Sequence, residues 1–197
     1  MMRILYVHGY NGSPTGSSYT LFDKQLDKSI YELHTIDYDA ADPRAAIQSI
    51  RDYVCKHKID LIIGSSLGGF LTLVLYGVMR IVVNPCWNPA EELPKLDYTG
   101  PTEDYAALLQ ELIDSTDEEE AELCCGCFAP GDELLGDKYR ATFARYYRRV
   151  YDIAGGHHLC AEAVAKIISE VIPEHDAETD DYVRKLIGAD NLPMWDY

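Results

Sequence analysis

Asp60-Leu61-Ile62-Ile63-Gly64-Ser65-Ser66-Leu67-Gly68-Gly69 is the stretch from which the rest of the chain can be read. Asp60 to Ile63 has the unbroken apolar character of a short strand buried on both faces, and the residues from Leu67 to Tyr76 read as a helix. Between them lies Gly-x-Ser-x-Gly, with Gly64, Ser66 and Gly68 in the fixed places. A serine on so sharp a strand-to-helix turn needs nearly bare neighbours, because the backbone must bend and the helix must approach the strand. Ser66 then stands at the carboxyl end of its strand before a helix N-terminus, whose positive end favours developing negative charge. Glycines and serines also crowd into ordinary tight turns, so the flanking strand and helix give the pentapeptide its meaning. Ser65, in the second place of the motif, is assigned to packing or a local hydrogen bond.

Upstream, Arg3 to Gly9 is an apolar strand-like run that breaks into the loop Tyr10-Asn11-Gly12-Ser13-Pro14-Thr15-Gly16. A helix over about Tyr19–Lys28 and a strand over Tyr31–Tyr38 follow. Asp42-Pro43 then opens a second helix running to about His57, with Asp at the cap and Pro in the first turn. Strands alternating with helices imply a parallel sheet covered on both faces. In such a fold the loop after the first strand can aim a backbone N–H at Ser66. Tyr10 is the expected donor, with Asn11 the alternative, and the N–H of Leu67 would complete a two-donor oxyanion hole. His8 reads as a structural histidine at a strand end.

Downstream, Arg80–Pro85 is another buried strand. Residues 86–122 carry prolines, aromatics and one apparent helix over Glu103–Asp114, a pattern that suits a small helical cap inserted over the strand ends. Asn11, Trp87 and Tyr98 are its candidate pocket residues, although large aromatics serve as readily in a cap core. The sheet resumes at Glu122–Ala129, Pro130-Gly131-Asp132-Glu133 turns out of it into a helix that starts at Glu133 and runs to about Arg145, and Arg149–Ile153 is the last strand. After Gly155-Gly156-His157-His158 a helix runs to about Val171, where Pro173 ends the regular unit. The expected organisation is one domain over residues 1–174 and a tail over 175–197. That tail has one amphipathic segment (Tyr182, Val183, Leu186, Ile187) and an aromatic end (Trp195, Tyr197), able to pack on the body or on a second copy.

A serine hydroxyl attacks only when a base takes its proton, and the base needs a carboxylate to fix its tautomer. Asp132 lies in the turn after the penultimate strand and the histidine pair in the loop after the last. In a parallel sheet both loops open on the edge that carries Ser66. Asp132 is preferred to Glu133 and Asp137, which fall at or inside the following helix, and Asp152 lies within a strand. Of the histidines, the spacing after the glycine pair favours His158 as base, with His157 its exposed neighbour.

A chain of 197 residues suits one well-buried core. The net charge of −16 repels phosphate backbones and acidic lipid, which argues against nucleic-acid and membrane partners. No run of about eighteen apolar residues is present, and Met1-Met2-Arg3 leads straight into a strand. The expected location is therefore cytoplasmic, with the six cysteines reduced. Cys124-Cys125-Gly126-Cys127 lacks metal-ligand spacing, and alternate strand residues face opposite ways, so no metal or other cofactor is expected.

His8-Gly9-Tyr10-Asn11-Gly12-Ser13-Pro14, Gly64-Ser65-Ser66-Leu67-Gly68-Gly69, Val83-Asn84-Pro85, Tyr98-Thr99-Gly100, Gly131-Asp132-Glu133 and Gly155-Gly156-His157-His158 together resemble the small bacterial YqiA-type esterases. These are close to the YcfP-type proteins within the α/β-hydrolase superfamily, and the resemblance spans about residues 3 to 171. It implies a minimal α/β-hydrolase fold, three layers around about six parallel strands, without the first two strands of larger relatives. It also implies carboxylester hydrolase activity, with Ser66 as nucleophile, Asp132 as acid and His158 as base. The cysteine-rich penultimate strand and the tail beyond Pro173 depart from the pattern and bear on substrate preference and on a possible homo-oligomer. The expected substrate is a small ester or thioester. Other readings of the same residues are a non-catalytic binding protein on this scaffold, or a phosphate binder using the glycine-rich turn. The latter is weakened by the absence of Gly-Lys-Ser/Thr.

Overall fold

A computed structural model describes residues 1–187. Six strands, β1 (Met2–Val7), β2 (Tyr31–Ile36), β3 (Leu61–Ser65), β4 (Met79–Val83), β5 (Cys124–Phe128) and β6 (Arg149–Asp152), pair in the order β2-β1-β3-β4-β5-β6. Every pairing is parallel, so all the strands end on the same edge. Parallel neighbours need crossovers, and helices supply them on both faces.

Alternation along the strands divides the core in two. Leu5, Val7, Ile62 and Val82 face a layer built from α2 (Pro43–His57), α3 (Leu67–Leu73), α5 (Glu103–Ser115) and α7 (Lys138–Phe143). Ile4, Tyr6, Leu61, Ile63, Ile81 and Val83 face α1 (Ser17–Gln25) and α8 (Ala161–Lys166). The same alternation parts the cysteines: Cys124 joins the first layer, while Cys125 and Cys127 join the second. Burial pushes the Cys124 thiol up to about 12, which keeps it protonated near neutral pH.

Local chemistry sets the element ends. The carboxylate of Asp42 accepts the N–H of Ala45 (3.0 Å) and Pro43 occupies the first turn of α2, as a capped helix requires. α3 stops at Leu73, short of Tyr76, because the guanidinium of Arg80 takes the carbonyls of Leu73 and Leu75. The helix expected from Glu133 to about Arg145 shrinks to α7. Asp132 accepts the N–H groups of Leu134 and Leu135 (2.9 Å each) and its carbonyl accepts Gly136 N–H, which holds 132–136 as a turn.

Between β4 and β5 run α4 (Pro89–Glu92), a 3-10 turn (Leu93–Leu96), α5 and α6 (Glu118–Glu122). Tyr105, Leu108 and Leu112 of α5 are buried in the first core layer. Pro173 does not end the helical run. A π-turn over Ile167–Val171 precedes it and α9 (Ile172–Ile187) follows. Pro173 is the second residue of α9, and the wider turn before it makes room for the proline ring, which has no N–H to offer the preceding carbonyls. The tail segment expected to be amphipathic is thus the end of α9, where Tyr182 and Val183 are half-buried. Trp195 and Tyr197 lie outside the described residues. None of the helices among the described residues is long and apolar enough to cross a membrane.

Candidate active site

Ser66 sits between β3 and α3 with φ +53° and ψ −120°, a conformation that non-glycine residues adopt only when their surroundings impose it. Those surroundings are the two motif glycines. A Cβ on Gly64 would lie 2.2 Å from the Thr72 hydroxyl and 2.4 Å from the Gly68 carbonyl, and one on Gly68 would meet the carbonyls of Val7 and His8 at 2.3 Å. Any side chain at either place would force α3 off the sheet. Ser65 bonds the Tyr6 hydroxyl at 2.7 Å, a structural tie between β3 and β1.

The histidine that the structure places between Asp132 and Ser66 is His157, not the expected His158. Its Nε2 lies 3.0 Å from Ser66 Oγ, and its Nδ1 lies 3.0 and 3.1 Å from the two carboxylate oxygens of Asp132. The carboxylate, an acceptor only, fixes the proton on Nδ1 and leaves Nε2 free to accept from the serine hydroxyl. His158 points the other way. Its ring is exposed, 5.7 Å from that of His157, at the mouth of the cleft. His157, His158 and Leu159 are buried, exposed and buried in turn, so the apolar Leu159 marks the inward side and His157 shares it.

Asp132 is 7% exposed and His157 8%, so the pair is shielded while Ser66 opens on the cleft. Burial works against the charged Asp132 carboxyl. The His157 ring and the N–H groups of Leu135 and Leu134 outweigh it and hold the group below the usual carboxylate range. Asp132 therefore remains ionised and able to steady an imidazolium. Of the other acids considered, Glu133 accepts the main-chain N–H of His157 (2.9 Å), and Asp152 pairs with Arg140 on the surface.

The cleft holds about 390 Å³ beside Ser66. Tyr10 and Asn11 line it, with Leu96, Leu134 and Leu159 as apolar patches. The first loop reaches the nucleophile directly: a Cβ on Gly9 would lie 3.0 Å from that of Ser66. Tyr10 and Leu67 thus belong to the two segments that meet at the serine. His8 is structural in its contacts, with its ring stacked on Tyr38 and bonded to Asp37 (3.3 Å) and Gly9 O (2.9 Å).

Two expected pocket residues lie elsewhere. Trp87 is 4% exposed and stacks on Tyr146 within the first core layer, where an indole buries more apolar area than a wet cleft allows. Tyr98 donates to the carbonyls of Ala40 (3.2 Å) and Pro101 (3.0 Å) and meets Tyr10 edge-on, so it supports the cleft wall from behind.

Solved structures of the same architecture include Est1E from Butyrivibrio proteoclasticus, at TM-score 0.70 and 15% identity over 89% of this chain and 88% of that one. The esterase domain of a Rhodothermus marinus protein gives 0.63 and 17%, over 88% and 84% of the two chains. The ydeN gene product from B. subtilis gives 0.62 and 15%, over 90% and 100%. At such identities the likeness establishes the α/β-hydrolase fold. Residues 3–171 match the uncharacterised protein family UPF0227, and the chain belongs to that family, the one that holds the YqiA and YcfP proteins.

Proposed function

We propose that this protein is a serine hydrolase that cleaves carboxylic esters and thioesters of small or short-acyl substrates through an acyl-enzyme. The reading rests on one observation: an unbroken hydrogen-bonded line from Asp132 through His157 to Ser66 at the wall of a cleft. The Rhodothermus marinus domain is named as an esterase, which agrees with it.

In the first half-reaction Ser66 Oγ attacks the acyl carbon as its proton passes to His157 Nε2. Asp132 stabilises the resulting imidazolium, and the carbonyl oxygen gains charge beside the N–H groups of Tyr10 and Leu67. The tetrahedral adduct collapses, and His157 returns the proton to the departing alkoxide or thiolate. Water then attacks the acyl-serine by the same path, releasing the acid and restoring Ser66. The cleft volume fits a compact acyl or alcohol group better than a long chain. The unpaired thiols suit a reducing, cytoplasmic setting.

Incubation with a fluorophosphonate, followed by peptide mass spectrometry, tests the assignment. The phosphonyl group is expected on Ser66, and Ser66→Ala is expected to lose at least ~10³-fold in ester turnover while keeping its fold. A protein that neither labels nor loses turnover in Ser66→Ala is not a serine hydrolase.

A further inference from the structure

Asn84 is the first residue after β4, 3% exposed and held at φ +42°. Its side chain touches both of the loops that carry the partners of Ser66. Oδ1 accepts the N–H of Ala129 (2.8 Å), at the end of β5 and three residues before Asp132. Nδ2 donates to the carbonyls of Gly156 (3.0 Å) and His157 (3.2 Å). The partners fix the amide's orientation, since an N–H needs the oxygen and two carbonyls need the nitrogen. Aspartate would lack the donor and glycine would lack both groups. Asparagine alone combines tolerance of a left-handed backbone with one donor and one acceptor.

Glu133 meets the same residue from the acid loop. Its Oε2 accepts the N–H of His157 at 2.9 Å and fills the space that a Cβ on Gly156 would enter at 2.4 Å. The peptide groups of His157 are therefore tied at both ends, N–H to Glu133 and carbonyl to Asn84. Neither contact touches the reacting atoms, yet together they decide which of two adjacent histidines faces inward.

We infer that Asn84 and Glu133 are positioning residues that clamp the main chain of His157 and so set the reach of its ring between Asp132 and Ser66. The inference deepens the hydrolase reading and rests on it for its kinetic consequences. A ring on a loosened loop spends less time within hydrogen-bond distance of the serine, which lowers kcat while leaving substrate binding in place.

Asn84→Gly keeps the left-handed backbone, removes the amide and changes no charge. It is expected to lower kcat about 10- to 100-fold with KM within about twofold of the parent. Glu133→Ala, at an exposed side chain, is expected to lose about tenfold, and Glu133→Gln, which keeps an acceptor for the N–H, to recover most of that loss. The low-field proton NMR signal of His157 Nδ1–H gives a readout that needs no turnover. It should be sharp in the parent and in Glu133→Gln, and broadened in Asn84→Gly and Glu133→Ala. Parent-like NMR signals and kcat in both loosening variants would overturn the clamp. A parent that fails to label with fluorophosphonate would instead overturn the hydrolase reading, and the NMR comparison would still decide the clamp. If Asn84→Gly does not fold, the Glu133 pair decides by the same signals.

Discussion

At the carboxyl end of the sheet, Ser66, Asp132 and His157 stand on three separate loops around an open cleft, and Ser66 and Asn84 both hold positive φ. At the amino end the polar groups are sealed. Arg80, fully buried at the start of β4, donates to the carbonyls of Leu73, Leu75 and Glu120 and pairs with the Glu120 carboxylate at 2.6 Å. Arg149, at the start of β6, reaches Glu122, Glu178 and the buried His175 of α9. Backbone carbonyls and the carboxylates of Glu120 and Glu122 take most of these donors, as buried charges require, while Arg80 Nε is left without a hydrogen-bond partner. In the proposed hydrolase, one edge of the sheet holds groups that exchange protons with a substrate, and the other holds charges buried against their partners. Damage at the first edge should cost rate, and damage at the second should cost stability.

The largest contrast lies between neighbouring residues. His157→Ala is expected to lower ester turnover at least ~10³-fold with an unchanged unfolding midpoint, whereas His158→Ala should stay within about threefold of the parent. Steady-state kinetics on a short-chain ester decide it, and equal losses would break the assignment of the two ends.

At the opposite edge, Arg80→Met should destabilise by about 3 kcal/mol, because it strands the Glu120 carboxylate and three carbonyls in a buried place. Denaturant titration measures this. The folded fraction should keep parental turnover per molecule, and a variant that loses activity without losing stability would erase the distinction.

His175 extends the contrast to pH. Arg149 Nη1 lies 2.6 Å from its Nδ1, and because arginine can only donate, that nitrogen accepts and the ring is neutral. Burial first, and the Arg149 charge second, lower its pKa from 6.5 to about 4. Near pH 5 the unfolded chain binds this proton and the folded one does not. Stability should be whole above pH 6.5 and fall by up to about 3 kcal/mol as pH drops to 4. Chemical denaturation across that range should show the slope, and His175→Gln should flatten it. An unchanged slope would place the acid sensitivity elsewhere.

The smallest effect belongs to Glu92 of α4, which joins Lys95 (3.0 Å), Lys138 (2.9 Å) and the Tyr139 hydroxyl (2.6 Å). Burial opposes its charge, but Lys138, Tyr139 and Lys95 prevail and draw its pKa from 4.5 down to about 2. The stabilisation is present above pH 4.5 and lost as pH falls toward 2. Both lysines are about half exposed, so Glu92→Gln should cost only about 1 kcal/mol near neutrality. The two proteins should unfold alike near pH 2, and a difference that persists there would show that packing, not charge, is at stake.

Much of this was legible in the order of residues. The capped helix Asp42-Pro43 to His57 was readable because its signals are local: a side chain accepts an N–H three residues on, and a proline presets φ. The six parallel strands followed from alternating apolar runs, and Ser66 from the steric demands of Gly64 and Gly68. Other features depended on residues far away in sequence. α3 ends where Arg80 folds back on it, Pro173 is absorbed by a π-turn, and Trp87 belongs to a core formed with Tyr146. Spacing after a glycine pair says nothing about which histidine turns inward, because that depends on contacts with Asn84 and Glu133.

The linear order of residues thus determined a nucleophile-bearing turn, an acid and a histidine pair at successive strand ends, because turn sterics and strand alternation act over a few residues. The tertiary structure alone decided that His157 is the histidine between Asp132 and Ser66. The hydrogen bonds that orient it come from side chains 73 and 24 residues away, and only the folded sheet brings those groups within 3.2 Å.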